Sequence, residues 1–380
     1  MKYIKYDKNA LKEMRMFLLL WSTQALSGLG SAMTAYALVI WSYTQKGSAL
    51  TTALLMVSSY APYVIFSIFA GALSDKWNKK TTMMVCDAAA AFTTVVMLIL
   101  LRNDALMIWH LYALNAVNGL MNTVQQPASE VATTRILPKK YYQRVGGLRY
   151  LAGSLTSIMT PVIATAVMGI GGMEAVAAVD LCSFGIAFLA LLFLIRIPEK
   201  EERAENEEKL LCAVRKGVGC LKKERGVFDL ILFLAAINLV ASVYNAAFPA
   251  MMLSRNGGSE TALGLVNAVI GIAMFAGSLL ASLMKTPEEM QGRVYSVRNS
   301  LQFFTIPIGY LLGGFLVDSV FEPIMVRQKE GSFLLRIFGS GKGSGAAFLF
   351  FLLAFAGIGV CLYFRHDQHI WDLEKEKRSL

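Results

Sequence analysis

Gly71-Ala72-Leu73-Ser74-Asp75-Lys76-Trp77-Asn78-Lys79-Lys80 interrupts two long apolar runs with ten residues, three of them lysine. One membrane-length segment ends here and another begins, so its charge sets the side of a bilayer from which both segments start. Working outward, apolar stretches recur at roughly 16–41, 50–73, 82–101, 106–128, 147–170 and 173–195, then at 227–251, 261–284, 298–320 and 344–364. Each can cross a hydrocarbon core of about 30 Å at about 1.5 Å per residue. The chain reads as an all-α polytopic membrane protein with about ten transmembrane helices, six before a charged stretch and four after it.

Composition agrees with that class. The chain is 56% hydrophobic and only 16% charged, with a mean hydropathy of +0.52, and its charges fall in clumps between the apolar runs. Soluble domains carry about 25% charged residues spread over their surfaces. The net charge of +10 needs no nucleic-acid partner, because membrane proteins collect lysine and arginine in cytoplasmic loops. The five cysteines lack CxxC spacing and fall mostly in apolar runs, so they imply neither a disulfide framework nor a metal site. Nor does the sequence hold a nucleotide-binding cassette, a nucleophile triad or a metal-ligand cluster, so no cofactor and no enzyme activity are expected. The first run is too long for the core of a cleavable signal peptide.

Basic residues set the expected orientation. With the N-terminus inside, the inner segments hold Lys2, Lys5, Lys8, Lys12 and Arg15, then Lys76, Lys79 and Lys80, then Arg135, Lys139, Lys140 and Arg144, and then the charged connector. The short outer segments hold Lys46, Arg102 and Arg255. This bias places both termini in the cytoplasm. A last outer loop from Ser319 to Gly343, with four basic residues, runs against the trend. The expected division is an N-terminal six-helix bundle over 1–195, a cytoplasmic connector over 196–226, a shortened four-helix bundle over 227–366 and a tail over 367–380.

An internal repeat supports two halves. Pro138 to Arg149 resembles Pro287 to Arg298: each holds an Arg-Val pair, has a second arginine five positions after the first, and precedes a span with an interior proline, Pro161 or Pro307. Such repeats are a common plan of secondary transporters. The second half is shorter by about two spans, with the junction near Lys285-Thr286-Pro287. A shortened second bundle would also invite oligomerisation.

The interrupting loop, read as Gly71-x-x-x-Asp75-Lys76-x-Asn78-Lys79-Lys80, resembles the signature of the major facilitator superfamily, G-x-x-x-D-R/K-x-G-R-R/K. Within that superfamily the chain from about 12 to 366 resembles the macrolide-efflux-like, proton-coupled exporters of Gram-positive bacteria, particularly at Gln291-Gly292-Arg293-Val294. The resemblance implies a bacterial plasma-membrane exporter that couples inward proton movement to efflux by alternating access. It also implies a gating role for Gly71, Asp75, Lys76, Asn78, Lys79 and Lys80. Two departures stand out: Asn78 replaces a glycine, which asparagine accommodates through its tolerance of left-handed geometry, and a full member has twelve spans. Without the family, the lysines read as anchors that set topology, with Asp75 balancing their charge.

Ionisable residues at membrane depth are few, and each is a functional candidate. Asp87 and Asp180 are the candidates for proton coupling, because a carboxylate away from water suits reversible protonation. Glu130 and Arg149 lie near span ends, so a Glu130/Arg149 or an Asp87/Arg149 pair is expected. In the fourth span Asn115, Asn118, Asn122 and Gln126 recur at steps of three and four, one helical stripe that must face protein or a watery cavity. Cavity lining and interhelical bonding are equally open readings of it. Gln24, Tyr36, Asn238, Tyr244, Asn245 and Asn267 would complete such a lining.

The expected function is proton-coupled efflux of macrolide-like or other amphipathic compounds, with lipid, solute and protons as partners. A non-transporting, truncated paralogue acting as a membrane interaction or regulatory protein is the alternative. An importer of a small metabolite is the third reading, disfavoured by the lack of a deep arginine or lysine for an anionic substrate.

Overall fold

The computed structural model describes residues 8–138, 141–198, 225–255, 260–283, 303–329 and 331–367; of helix residues 8–12, 68–76, 142–151, 227, 274 and 277–283 only the backbone is described. Every regular element among them is a helix. Before the connector lie α1 (Lys8–Lys46), α2 (Ala49–Lys76), α3 (Lys79–Arg102), α4 (Ile108–Ile136) and α5 (Tyr142–Leu189). After it lie α6 (Arg225–Ser254), α7 (Glu260–Leu283), α8 (Thr305–Val326), α9 (Phe333–Phe338) and α10 (Ser344–Arg365).

Seven of the described helices are long and apolar enough to cross a membrane. That number falls three short of six and four: α7 counts only over Glu260–Ala273, which is too short to cross alone, and two physical reasons account for the others. The stretch Ala152–Leu194 counts once, yet Gly171 (φ −143°, ψ 21°) and Gly172 (φ +63°, ψ −159°) break α5 into two arms. Only glycine enters the second of these conformations without strain, so the two expected spans meet at a glycine pair with no loop between them. By contrast α4, with 29 residues, is long enough but too rich in amides and hydroxyls to count as apolar.

The outer loop expected from Ser319 to Gly343 is largely helical. Helix α8 continues through a widened π turn, Leu316–Phe321, into Glu322–Val326. Pro323 is admitted in the first turn of that continuation, where its missing N–H costs little. Ser332 then caps α9 by accepting the Leu335 amide.

Polar caps mark the loops. Ser48 caps α2, accepting from the Thr51 amide at 3.1 Å. Asn78 caps α3, accepting from Thr81 at 3.0 Å. The φ of Asn78 is −60°, so asparagine stands there as an N-cap and not for the left-handed geometry expected of it.

Helices in lipid gain little from apolar transfer, so close approach through small residues holds them. On α4, a Cβ at Gly119 would overlap the Ser59 carbonyl of α2. On α1, a Cβ at Gly30 would meet Ser183 Oγ and, at 3.0 Å, the Asp180 Cα. The core of α1–α5 gathers Met33, Leu55, Met97, Leu111 and Val176. The two sets of helices meet where α5 crosses α7 and where α2 crosses α8. Glycines line both crossings: Gly264 and Gly271 approach Thr165 and Ile158, and Gly314 approaches Leu50 and Ala53. A shared cluster of Ile40, Phe248 and Leu263 fills the seam between α1, α6 and α7.

Candidate functional site

A cavity of about 730 Å³ opens inside the first set, between α1, α3, α4 and the second arm of α5. Gln24, Asp87, Asn122, Gln126, Glu130 and Asp180 are among the residues that line it. Asp87 and Thr94 are seven residues apart on α3, two helical turns, and so face the same side about 10 Å apart.

Asp180 is only 5% exposed. Its Oδ1 accepts from Ser31 Oγ at 3.1 Å, and its Oδ2 accepts from Thr34 Oγ1 at 3.0 Å and Thr94 Oγ1 at 3.1 Å. Helices α1 and α3 thus supply three hydroxyls to a carboxylate on α5. Gly30 allows this, because it lets α1 approach the backbone of Asp180. Hydroxyls both donate and accept, so the cradle can satisfy either the carboxylate or the carboxylic acid after one hydroxyl rotates.

Asp87, equally buried, is held by amides. Gln24 Nε2 donates to its Oδ2 at 3.1 Å and Gln125 Nε2 to its Oδ1 at 2.5 Å, while Gln125 Nε2 also lies 3.3 Å from Gln24 Oε1. Accepting a hydrogen bond from protonated Asp87 would require an amide to turn, which disturbs the bond between the two glutamines. The two carboxylates therefore differ in how much rearrangement a proton demands.

The amide stripe of α4 divides along its length. Asn115 donates back to the Leu111 carbonyl at 2.9 Å, and Asn118 accepts from Thr93 of α3 at 2.9 Å. Asn122 and Gln126 line the cavity. Gln125, absent from the expected stripe, is the residue that reaches Asp87. The steps Asn118, Asn122, Gln125 and Ser129 also fit one helical face, and all but the first line the cavity.

Other expected lining residues sit elsewhere. Tyr36 packs toward the seam, where its hydroxyl faces Thr165 and Asn267. Asn267 donates to its own helix at Leu263. Tyr244 stacks on Phe248 with ring centroids 5.3 Å apart. Asn245 is exposed on α6, and Asn238 is half-buried there. None of these five lines the cavity, whose described lining comes from α1, α3, α4 and α5. Glu130 stands exposed at its edge. The side chain of Arg149 lies outside the described residues, as do those of Gly71, Asp75 and Lys76.

Within the interrupting loop, Lys79 is buried and donates to the Trp77 carbonyl at 3.0 Å. Lys80 Nζ donates to the carbonyls of Leu192 at 3.0 Å and Ile195 at 2.9 Å. These belong to a π turn, Ala190–Leu194, and the residue after it, where helical carbonyls lack their usual partners. Lys80 thereby clasps the end of α5 to the start of α3.

Residues 20–286 match the profile described as Major Facilitator Superfamily. The chain belongs to that superfamily. It is accordingly a multi-pass bacterial membrane protein of transporter type and not an enzyme. Macrolide efflux protein A of Streptococcus pyogenes is 23% identical over 318 residues, spanning 83% of this chain and 76% of that protein. Among solved structures, a point mutant of the nucleoside transporter NupG aligns with a TM-score of 0.57 at 14% identity, covering 91% of this chain and 99% of that one. A bacterial homolog of the human lysosomal transporter Spinster aligns at 0.56 and 13% identity, covering 92% of this chain and 81% of the other. Both share the fold.

The superfamily member carries two more buried or half-buried acids that sequence reasoning passed over. Asp318 and Glu322 lie four residues apart on α8, one in the π turn and one just beyond it. Their only local signal was the apolar run continuing on either side of them.

Proposed function

We propose that the chain is a proton-coupled exporter of macrolide-like or other amphipathic compounds, working by alternating access between a six-helix bundle (1–195) and a shortened four-helix bundle (227–366). The N- and C-termini and the 196–226 connector face the cytoplasm in this reading. Asp180 is the principal proton carrier and Asp87 the secondary one, with Gln24, Asn122 and Gln126 offering uncharged hydrogen bonds along the same cavity. Gly71, Asp75, Lys76, Asn78, Lys79 and Lys80 form the inner-face gating loop. A second copy covering exposed Asn245 is the corresponding proposal for oligomerisation through the shortened bundle.

The observation that carries the reading is the hydroxyl cradle of Asp180, which accommodates both protonation states inside a cavity and leaves the carboxylate without a fixed positive partner among the described residues. Similarity to a macrolide efflux protein supports the solute class. The test is uptake of a labelled macrolide into everted vesicles with an acid interior. Uptake should require the gradient and fall to the level of empty vesicles in Asp180→Asn. Correct insertion with no gradient-dependent uptake would overturn export in favour of the non-transporting reading.

A further inference from the structure

On the face opposite the Asn78 loop, α8 reaches across the seam. Asp318 Oδ2 accepts from Ser48 Oγ at 2.6 Å and from the Leu50 amide at 2.9 Å, and its Oδ1 accepts from the Ala49 amide at 3.0 Å. Ser48 is itself the cap of α2. One carboxylate from the second set therefore takes up the first-turn donors of a helix in the first set, where the helix dipole also favours negative charge. One turn earlier, a Cβ at Gly314 would lie 2.7 Å from both Leu50 Cα and Ala53 Cβ. Backbone contact and carboxylate capping thus coincide at one crossing. The π turn between them widens α8 at the position of Asp318, a distortion that often accompanies functional positions.

Glu322, one turn further along, does something different. Its Oε1 accepts from the Gly343 amide at 2.8 Å, within the second set. Of these two acids on one helix, only Asp318 crosses the seam.

We propose that Asp318 is the positioning residue that latches the outer ends of the two helix sets shut. This rests on the alternating-access reading above. An outer opening must part α2 from α8, and the donors freed at Ser48, Ala49 and Leu50 lie at a helix end that water can reach. The latch is consequently reversible in a way that a buried contact deep in the seam is not. It touches no solute and sets only the balance between closed and open outer faces.

The test uses the full chain with Cys86, Cys182, Cys212, Cys220 and Cys361 replaced by serine and Ile40→Cys as reporter. Ile40 is fully buried in the seam between α1, α6 and α7. A membrane-impermeant maleimide is applied to intact cells, and its labelling rate is measured. Asp318→Asn should raise that rate by about fivefold or more, the change expected for a shift of about 1 kcal/mol. Ser48→Ala, which removes one donor to Asp318 together with the cap bond to Thr51, should raise it by a smaller factor, and Glu322→Gln should not raise it. Unchanged labelling in both Asp318→Asn and Ser48→Ala would overturn the latch, as would an equal rise in Glu322→Gln. Ser48→Ala decides the matter if Asp318→Asn fails to insert. Because labelling needs no solute, a shift in labelling with no export would remove the exporter reading while keeping the latch.

Discussion

The interior of the first helix set and the seam between the sets are bonded in opposite ways. Among the described residues Asp180, Asp87 and Lys80 bond only to groups within α1–α5 and the turn that ends α5. Asp318 bonds out of its own set, to the first turn of α2. Both regions use buried or half-buried acids and close glycine contacts, so composition does not distinguish them. The direction of the bonds does. A body that moves as a unit keeps its polar contacts inside itself, while a seam that must part places them at helix ends where water can replace the protein donors. The two π turns repeat the contrast: Lys80 binds one within its own set, and Asp318 reaches across from the other.

The largest effect that can break this comparison is expected at Asp180. Asp180→Asn preserves the shape of the cradle, and its amide can still bond to Ser31, Thr34 and Thr94, which donate or accept as needed. The variant should insert and elute as the parent does, yet lose gradient-driven macrolide uptake entirely. Retained uptake would show that the interior cluster is structural glue. A smaller effect is expected for Gly119→Ala, where the added Cβ overlaps the Ser59 carbonyl. Forcing α2 from α4 should cost about 1–3 kcal/mol, read as a lowered thermal unfolding midpoint in detergent. No such loss would mean that the first set is looser than a single moving body requires.

Much of this arrangement was legible in the sequence, and particular residues show where legibility ended. Asp87 and Asp180 stood out because a carboxylate in an apolar run of membrane length is rare. Gln125 stood in the same polar series but was left off the expected stripe, because Gln125 and Gln126 fit two overlapping helical stripes equally well. The choice between them is made by how α4 packs against its neighbours, which periodicity does not contain. Asp318 was passed over at the end of the span expected over 298–320, since its partners are 268–270 residues away and no local pattern announces a bond at that distance. The π turns escaped for a related reason: each is a local widening that accompanies a contact from another element. Asn78 was legible as part of a signature, but its capping bond gives a different reason for the residue.

Lys80→Met sharpens the comparison at intermediate size. The change keeps the aliphatic stem and removes two charge-assisted bonds to Leu192 and Ile195. Half-buried bonds of this kind contribute about 1–2 kcal/mol. The unfolding midpoint should fall modestly, while outside labelling of Ile40→Cys stays at the parent rate, because the clasp lies within one set. A clear rise in labelling would instead couple the inner clasp to the outer seam.

The smallest effect is expected at Arg102, whose Nε lies 3.2 Å from Glu174 Oε2 with the side chains 64% and 47% exposed. This pair joins α3 to the second arm of α5, at the same face as the Asp318 latch but inside the first set. Exposed pairs are screened by water and salt and contribute about 0–1 kcal/mol, so Arg102→Ala should leave the unfolding midpoint almost unmoved. It should also leave Ile40→Cys labelling at the parent rate. That outcome separates position from charge, because a general loss of charge on the outer face would be expected to act at Arg102 as well as at Asp318. If Arg102→Ala opened the seam as much as Asp318→Asn, the outer face would be responding to its overall electrostatics. The carboxylate on the α2 terminus would then hold no special place.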